Sequence, residues 1–359
     1  MQRPDPFAAQ LLDASAPGYA RLATERLLAR HPELGDRLGA RPFEAWTDNL
    51  AGRLRDLSIA VSEGRPDLFA DQVAWARTAF DARDVSVDHL RASLTAMHEV
   101  LSDELPEAAR EPVGRCLEQA LTILEGESSV PPERIGTETV HGRLASRYVL
   151  ALLEGDRLQA RDLVMEAVDA GQLSAVEAVE RICLPAQAEL GRMWHLGEIS
   201  IAEEHFVSAT TISLMSQLAG RAERAPRNGK CVLSAALGSD LHDIGLRAVS
   251  DLLEIDGWRT VFLGAAVPPE DFVQAVDDFG ADLVVLSASL VSHRQNVRAT
   301  VTAVRRAAEA AGRKAPWVLV GGPAFSDWDE AHDQVGADGC ATTASQAVHL
   351  ARKLLDTEG

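Results

Sequence analysis

The apolar positions of this chain change their spacing along its length, and those changes divide it. From residue 229 onward, short continuous apolar runs alternate with stretches whose apolar residues recur every three or four positions. The runs Cys231–Leu237, Thr260–Gly264, Leu283–Ser287, Trp317–Val320 and Gly339–Ala341 predict buried strands. The stretches around Leu246–Asp256, Glu270–Phe279, Gln295–Ala311, Asp327–Gly336 and Ser345–Asp356 predict helices. Repeated β-α units of this length predict a parallel sheet with helices on both faces, in the flavodoxin-like order 2-1-3-4-5.

Residues 137–225 keep the helical period throughout. Tyr148, Val149, Leu152 and Leu153 form one stripe, closed by Gly155-Asp156. Ala160, Leu163, Val164 and Ala167 form the next, ending near Gly171. A third helix begins near Ser174, and the capping box Ser200-Ile201-Ala202-Glu203 opens a fourth that runs past Leu218. Four helices with short connections predict a bundle. Residues 1–125 are also helical: Trp46, Leu50, Leu54, Leu57 and Val61 share a face, Gly64-Arg65-Pro66-Asp67 breaks it, and Leu68, Phe69, Val73, Ala76 and Phe80 resume it. The clearest linker is Glu125-Gly126-Glu127-Ser128-Ser129-Val130-Pro131-Pro132. The expected fold class is therefore multidomain: an α-helical N-terminal domain (1–125), a four-helix bundle (137–225) and a flavodoxin- or Rossmann-like α/β domain (229–359).

Composition narrows the function classes. No apolar run approaches the roughly 18 residues of a membrane span. The opening Met-Gln-Arg-Pro-Asp-Pro lacks the basic and apolar regions of a signal peptide, and the four cysteines lie far apart without metal spacing. A cytoplasmic protein with buried free thiols and no membrane partner is expected. The net charge of −19 opposes direct nucleic-acid binding, which needs a basic face. His31, His89 and His98 stand isolated and read as surface or packing residues.

The chemistry begins at Asp240-Leu241-His242-Asp243-Ile244-Gly245, just past the first predicted strand. A histidine on such a loop can present its imidazole to a cleft. A carboxylate two residues earlier can hold the other ring nitrogen, fixing the tautomer and raising the basicity of a metal ligand. Gly245 lets backbone approach a bulky group without a Cβ. Downstream come Leu286-Ser287-Ala288-Ser289-Leu290 and Val320-Gly321-Gly322-Pro323. The order D-x-H-x-x-G, S-x-S-L, G-G resembles the cobalamin-binding domain of methionine synthase and its relatives. That resemblance makes His242 the lower axial ligand of cobalt and Asp240 its partner. Ser287, Ser289, Leu290, Gly321 and Gly322 would line a slot for the cofactor's nucleotide tail. Leu263-Gly264-Ala265-Ala266-Val267-Pro268-Pro269-Glu270 resembles the segment beneath the corrin ring, which brings in Val267. The bundle resembles the helical cap over cobalamin's upper face.

Between the third and fourth cap helices, Trp194-His195 and Glu204-His205 form W-x9-E-H. This resembles the light-sensing CarH family, which uses adenosylcobalamin. The resemblance implies that Trp194 covers the 5′-deoxyadenosyl group, that Glu204 and His205 hold that region, and that His195 takes cobalt after light breaks the cobalt–carbon bond. The implied function is a photoreceptor that signals through a homo-oligomer or a protein partner and has no catalytic residues of its own. The DNA-binding domain of such regulators is absent, so DNA binding does not carry over. The extension also resembles photocobilins, which add a bilin such as biliverdin. A corrinoid methyl carrier and a light-independent B12 sensor are the alternatives. The segment Val291-Ser292-His293-Arg294 departs from methionine synthase, and His293 is read as a loop residue.

Overall fold

The computed structural model describes residues 4–35, 41–126, 130–326 and 331–356. It divides into two compact units, Met1–Pro132 with His195–Glu198, and Glu133–Trp194 with Ile199–Gly359.

The first unit carries α1 (Pro6–Arg30), α2 (Pro42–Glu63), α3 (Pro66–Asp81), α4 (Val87–Glu104) and α5 (Glu107–Ile123). Proline opens each of the first three helices, where its missing N–H would find no intrahelical partner. Gly64 ends α2 in the left-handed region at φ 62°, a conformation that favours glycine. The predicted stripe Trp46, Leu50, Leu54, Leu57 and Val61 is buried, as are Phe69 and Val73 on the next helix.

The second unit opens with α6 (Val140–Leu153), α7 (Arg157–Asp169), α8 (Ala175–Ala178), a π-helical turn Val179–Cys183, α9 (Leu184–His195) and α10 (Ile201–Arg221). Side-chain caps fix the starts: Thr139 for α6, Asp156 for α7, and reciprocal capping boxes at Ser174–Glu177 and Ser200–Glu203. The π turn directly precedes Pro185, which cannot donate back to its own preceding turn. The ladder widens there, and Leu184 N–H reaches Val179 O instead. The expected third cap helix is thus continuous but carries an extra residue per turn at this point.

The sheet follows: β1 (Cys231–Leu237), α11 (Ile244–Ile255), β2 (Arg259–Val267), α12 (Pro269–Phe279), β3 (Leu283–Ser287), α13 (Arg294–Ala310), β4 (Trp317–Gly321), α14 (Ala331–Val335), β5 (Gly339–Ala341) and α15 (Ala344–Asp356). All pairings are parallel, in the order β2-β1-β3-β4-β5. Alternate residues face opposite layers. Leu233, Ala235, Val284, Leu286, Val318 and Val320 pack with Phe272 and Val297, while Val232, Leu283, Val285 and Leu319 pack with Leu253 and Ala351.

Three differences from the sequence reading matter. β2 runs on to Val267, three residues past its expected end, because the ladder slips at Ser234/Ala235 and Ala235/Leu237. Gly264 at φ 83° and Ala266 at φ 55° absorb the irregularity. α11 starts at Ile244, so Gly245 lies in its first turn. The cap and the α/β domain also share one compact unit, since Ala248, Leu252 and Ala344 belong to the cap's own apolar cluster. Glu127, Ser128 and Ser129 of the expected linker, and residues 327–330 of the expected fourth helix, lie outside the described residues. Cys116, Cys183 and Cys231 are buried free thiols, and burial pushes Cys116 and Cys183 up to about 12, well away from thiolate reactivity.

Candidate functional site

The carboxyl ends of β1, β2 and β3 meet at one buried carboxylate. Asp240 is fully buried. Its Oδ1 accepts from the His242 backbone N–H at 3.1 Å and lies 3.0 Å from His242 Nδ1. Its Oδ2 accepts from Ser289 N–H at 2.7 Å and lies 3.1 Å from His293 Nδ1. Its backbone oxygen accepts from Ala266 N–H at 2.9 Å, tying in the end of β2. Burial alone would push this carboxyl up. The bonds from His242, His293 and the two backbone N–H groups together outweigh it and hold Asp240 well below the usual carboxylate range.

His242 is the opposite case, with its side chain 74% exposed. The Asp240 hydrogen bond raises its pKa; partial burial opposes that, and the charges of Asp240 and Glu204 add to it. With Nδ1 engaged, Nε2 is the ring's remaining donor atom for a metal. Leu241 beside it is also 74% exposed. A Cβ on Gly245 would meet no atom within 4 Å, so nothing inside the protein requires glycine there. This glycine leaves room next to the exposed imidazole.

The glycine pair after β4 has another physical basis. A Cβ on Gly321 would lie 2.7 Å from Ala341 O. On Gly322, at φ 96°, it would lie 2.5 Å from Ala288 O and 2.9 Å from Ser287 Oγ. Close backbone approach therefore accounts for both glycines: Ala288 N–H donates to Gly321 O at 3.0 Å, and Ala324 N–H donates to Ala288 O at 3.1 Å. Ser287 and Ser289 are half-buried, Leu290 is exposed and Val267 is half-buried at the end of β2.

The residues expected at the upper face are split. Trp194 is half-buried against the cap's apolar cluster. Glu204 Oε2 meets His205 Nδ1 at 2.7 Å, and Glu204 Oε1 accepts from Ser208 Oγ at 2.7 Å. His205 is exposed. His195 falls with the helical N-terminal unit, where its ring stacks on Trp75 with centroids 4.3 Å apart. Arg83 Nη1 donates to His195 O at 2.9 Å. Burial, and then the charge of Arg83, lower the His195 pKa.

Sequence reasoning took His293 for a loop residue. It is buried in a 3-10 turn, Val291–His293, before α13, and it touches the same carboxylate as His242. Its partner lies on another strand's loop, so no local spacing marks it.

The donor set fits a cobalt corrinoid. Among the described residues no group of three or more His, Cys, Asp or Glu side chains could hold a bare metal ion. A single oriented histidine suits a metal that brings its other ligands in a macrocycle, and the space at Gly245 suits a flat, bulky group beside it. Among the described residues no helix is long and apolar enough to cross a membrane.

A family model described as the B12 binding domain matches residues 230–350, and a second model of the same description matches residues 144–219. A corrinoid protein of Desulfitobacterium hafniense is 30% identical over 212 residues, which are 57% of this chain and 94% of that protein. Dimethylamine corrinoid protein 1 of Methanosarcina acetivorans is 26% identical over 200 residues, 54% of this chain and 91% of its own. The structure of the Methanosarcina barkeri monomethylamine corrinoid protein superposes with a TM-score of 0.50 at 22% identity, over 59% of this chain and 96% of that one, a likeness of fold alone.

These relatives overturn the photoreceptor expectation. They are corrinoid proteins, one named for a methylated amine, and they favour the methyl-carrier alternative. The light-driven release of an adenosyl group and the signalling output go with that expectation, and a bilin finds no support among them. His195, which that reading made the light-state cobalt ligand, is 4% exposed and stacked on Trp75. Cobalamin remains as the class of cofactor. This chain belongs to the family of B12-binding corrinoid proteins.

Proposed function

We propose that this chain is the corrinoid-carrying component of a methyl-transfer system, holding cobalamin on His242 and presenting it to protein partners that supply and remove a methyl group. The observation that carries this reading is an exposed imidazole whose Nδ1 is fixed by a fully buried carboxylate. A bound corrinoid would supply the cobalt that accepts and gives up the methyl group. The chain's own residues bind and orient. Asp240 would keep the proton on His242 Nδ1, leaving Nε2 as the neutral nitrogen that would hold the cobalt. Gly245 admits the ring. Val267, Ser287, Ser289, Leu290, Gly321 and Gly322 belong to the ends of β2, β3 and β4 beside that histidine, where the nucleotide tail would lie. Trp194, Glu204 and His205 would close the opposite side from the cap, excluding water. The methylated-amine relative suggests small methylated amines as the ultimate methyl source.

The test is direct. The full chain, loaded with hydroxocobalamin and reduced with titanium(III) citrate, is offered radiolabelled methyl iodide and desalted. Label and corrinoid should travel together with the protein, and His242→Ala should lose most of both. A loaded protein that refuses the label would point to the B12-sensor alternative.

A further inference from the structure

We infer that His195 and Trp75 form an acid-released clasp that pins the connection between α9 and α10 to the helical N-terminal unit. The inference needs no cofactor and stands apart from the corrinoid reading. Residues 195–198 span the end of α9 and the turn before α10, yet they belong with the N-terminal unit. The His195 ring lies flat on the Trp75 indole, with centroids 4.3 Å apart and an interplanar angle of 17°. Arg83 Nη1 donates to His195 O at 2.9 Å. Gly197, at φ 69°, comes so close to the turn after α3 that a Cβ there would lie 3.1 Å from Ala82 O. Three separate contacts thus hold one short segment.

The clasp suits a neutral imidazole. His195 is 4% exposed, and neither ring nitrogen has a hydrogen-bond partner. A neutral ring strands one N–H, whereas a protonated ring strands two and adds a buried charge. The charge acting on the ring is that of Arg83, which repels a second cation. Of the acids nearby in sequence, Glu189 is paired with Arg192, Asp81 with Arg77, and Glu198 is also engaged. Two effects favour the charged ring: the indole face attracts cations, and the C-terminal end of α9 is negative. The Arg83 guanidinium already meets that end at His195 O, and one aromatic face does not offset two unmatched donors beside a like charge. Burial, and then Arg83, accordingly hold His195 below its ordinary value. A histidine whose folded pKa lies below its unfolded one lends its stability in full above the unfolded value and loses it as pH falls. The clasp therefore holds above about pH 6.5 and loosens below it. Its release would free the stretch flanked by Trp194 and by the Ser200–Glu203 cap of α10.

The test follows amide exchange of the full chain, without corrinoid, at pH 7.5 and 5.5, corrected for the intrinsic pH dependence of exchange. It compares wild type with His195→Phe, which keeps a flat ring and cannot titrate, and with Trp75→Ala, which removes the stack. Protection at residues 195–199 in wild type should fall about fivefold at the lower pH, within the roughly tenfold that one pH unit below the ordinary value allows. His195→Phe should keep its protection at both pH values, and Trp75→Ala should lower it at both. Slow exchange within β1 and β3 throughout shows that the fold persists. Nuclear magnetic resonance of ring-labelled histidine gives a second reading: the signal missing from His195→Phe should titrate below about pH 6.5. Should His195→Phe not fold, Trp75→Ala identifies the ring, whose signal loses its shift from the indole. Equal wild-type protection at both pH values overturns the inference. The same fall in His195→Phe overturns it as well, because other groups then cause it, and so does a His195 ring that titrates at or above its ordinary value.

Discussion

Two glycines separate what this site needs from what the fold needs. Gly245 has open space where a Cβ would go and sits in the first turn of α11, whereas Gly322 is left-handed at φ 96° with Ala288 O 2.5 Å from that position. Gly245→Ala should therefore leave the unloaded protein as stable or more stable, by up to about 1 kcal/mol from helix propensity, while weakening hydroxocobalamin retention. Gly322→Ala should destabilise it by more than about 1 kcal/mol whether or not corrinoid is present. Thermal melts and desalting of both variants check this; equal effects on melting would remove Gly245 from the cradle. Asp251 makes a second prediction at this scale. Burial pushes its carboxyl up to about 6, against a lowering by Arg247, a raising by Glu254 and a lowering by Arg224. A folded value above the unfolded one means its favourable contribution is complete below pH 4 and is lost as pH rises through 6. Asp251→Asn should thus stabilise the chain at pH 7.5, by about 2 kcal/mol, and much less at pH 4.5. An equal shift in melting temperature at both pH values would sink the assignment. The residues legible from sequence were those whose partner lies within a few positions, as Asp240 does for His242. His293 was not, because its partner lies on the loop after another strand and parallel sheets join residues far apart in sequence.

Elements were easier to read than the polar contacts between them. The strand order and the capping boxes of the bundle followed from periodicity and local side chains, since both depend on residues a few positions apart. The extended β2 did not, because Gly264-Ala265-Ala266 breaks the apolar run while the ladder continues through a bulge. Tyr148 read as part of an apolar stripe, yet its hydroxyl lies 2.9 Å from Thr211 Oγ1 in the middle of the cap. Gln187 Nε2 donates to the same Thr211 oxygen at 2.7 Å, and Gln187 Oε1 lies 3.2 Å from Ser208 Oγ, which also meets Glu204 at 2.7 Å. One amide therefore joins the buried pair on α6 and α10 to Glu204 near the start of α10. Removing it takes one of two partners from Thr211 and from Ser208, which keep Tyr148 and Glu204. Gln187→Leu should cost about 1 kcal/mol, the net worth of a buried hydrogen bond. Urea unfolding monitored by circular dichroism would show it, and an unchanged midpoint would mean that water or a rotated hydroxyl replaces the amide.

At the scale of the whole chain, the order of three motifs sufficed to place a cobalamin module, because each motif sits at a strand end that the sheet brings together. It did not suffice to choose the use of that module. W-x9-E-H was weighed as the mark of a light sensor, although the same residue types also serve ordinary bundle packing and helix capping, and Ser200–Glu203 does cap α10. The relatives are covered almost end to end by little more than half of this chain, and the family models leave residues 1–143 unmatched. Residues 133–359 should accordingly fold alone and retain hydroxocobalamin as the full chain does. One segment should change. His195–Glu198 belongs with the N-terminal unit, where His195 stacks on Trp75 at an interplanar angle of 17° and its carbonyl takes the Arg83 hydrogen bond. Without those partners, amide exchange at residues 195–199 should accelerate in the fragment while exchange within β1 and β3 stays slow. Trp75→Ala in the full chain should reproduce part of that acceleration, since a stacked ring pair is worth about 1 kcal/mol. A fragment that folds yet cannot hold corrinoid would instead make the N-terminal unit a working part of the cofactor site, and the methyl-carrier reading would then have to explain why its relatives manage without one.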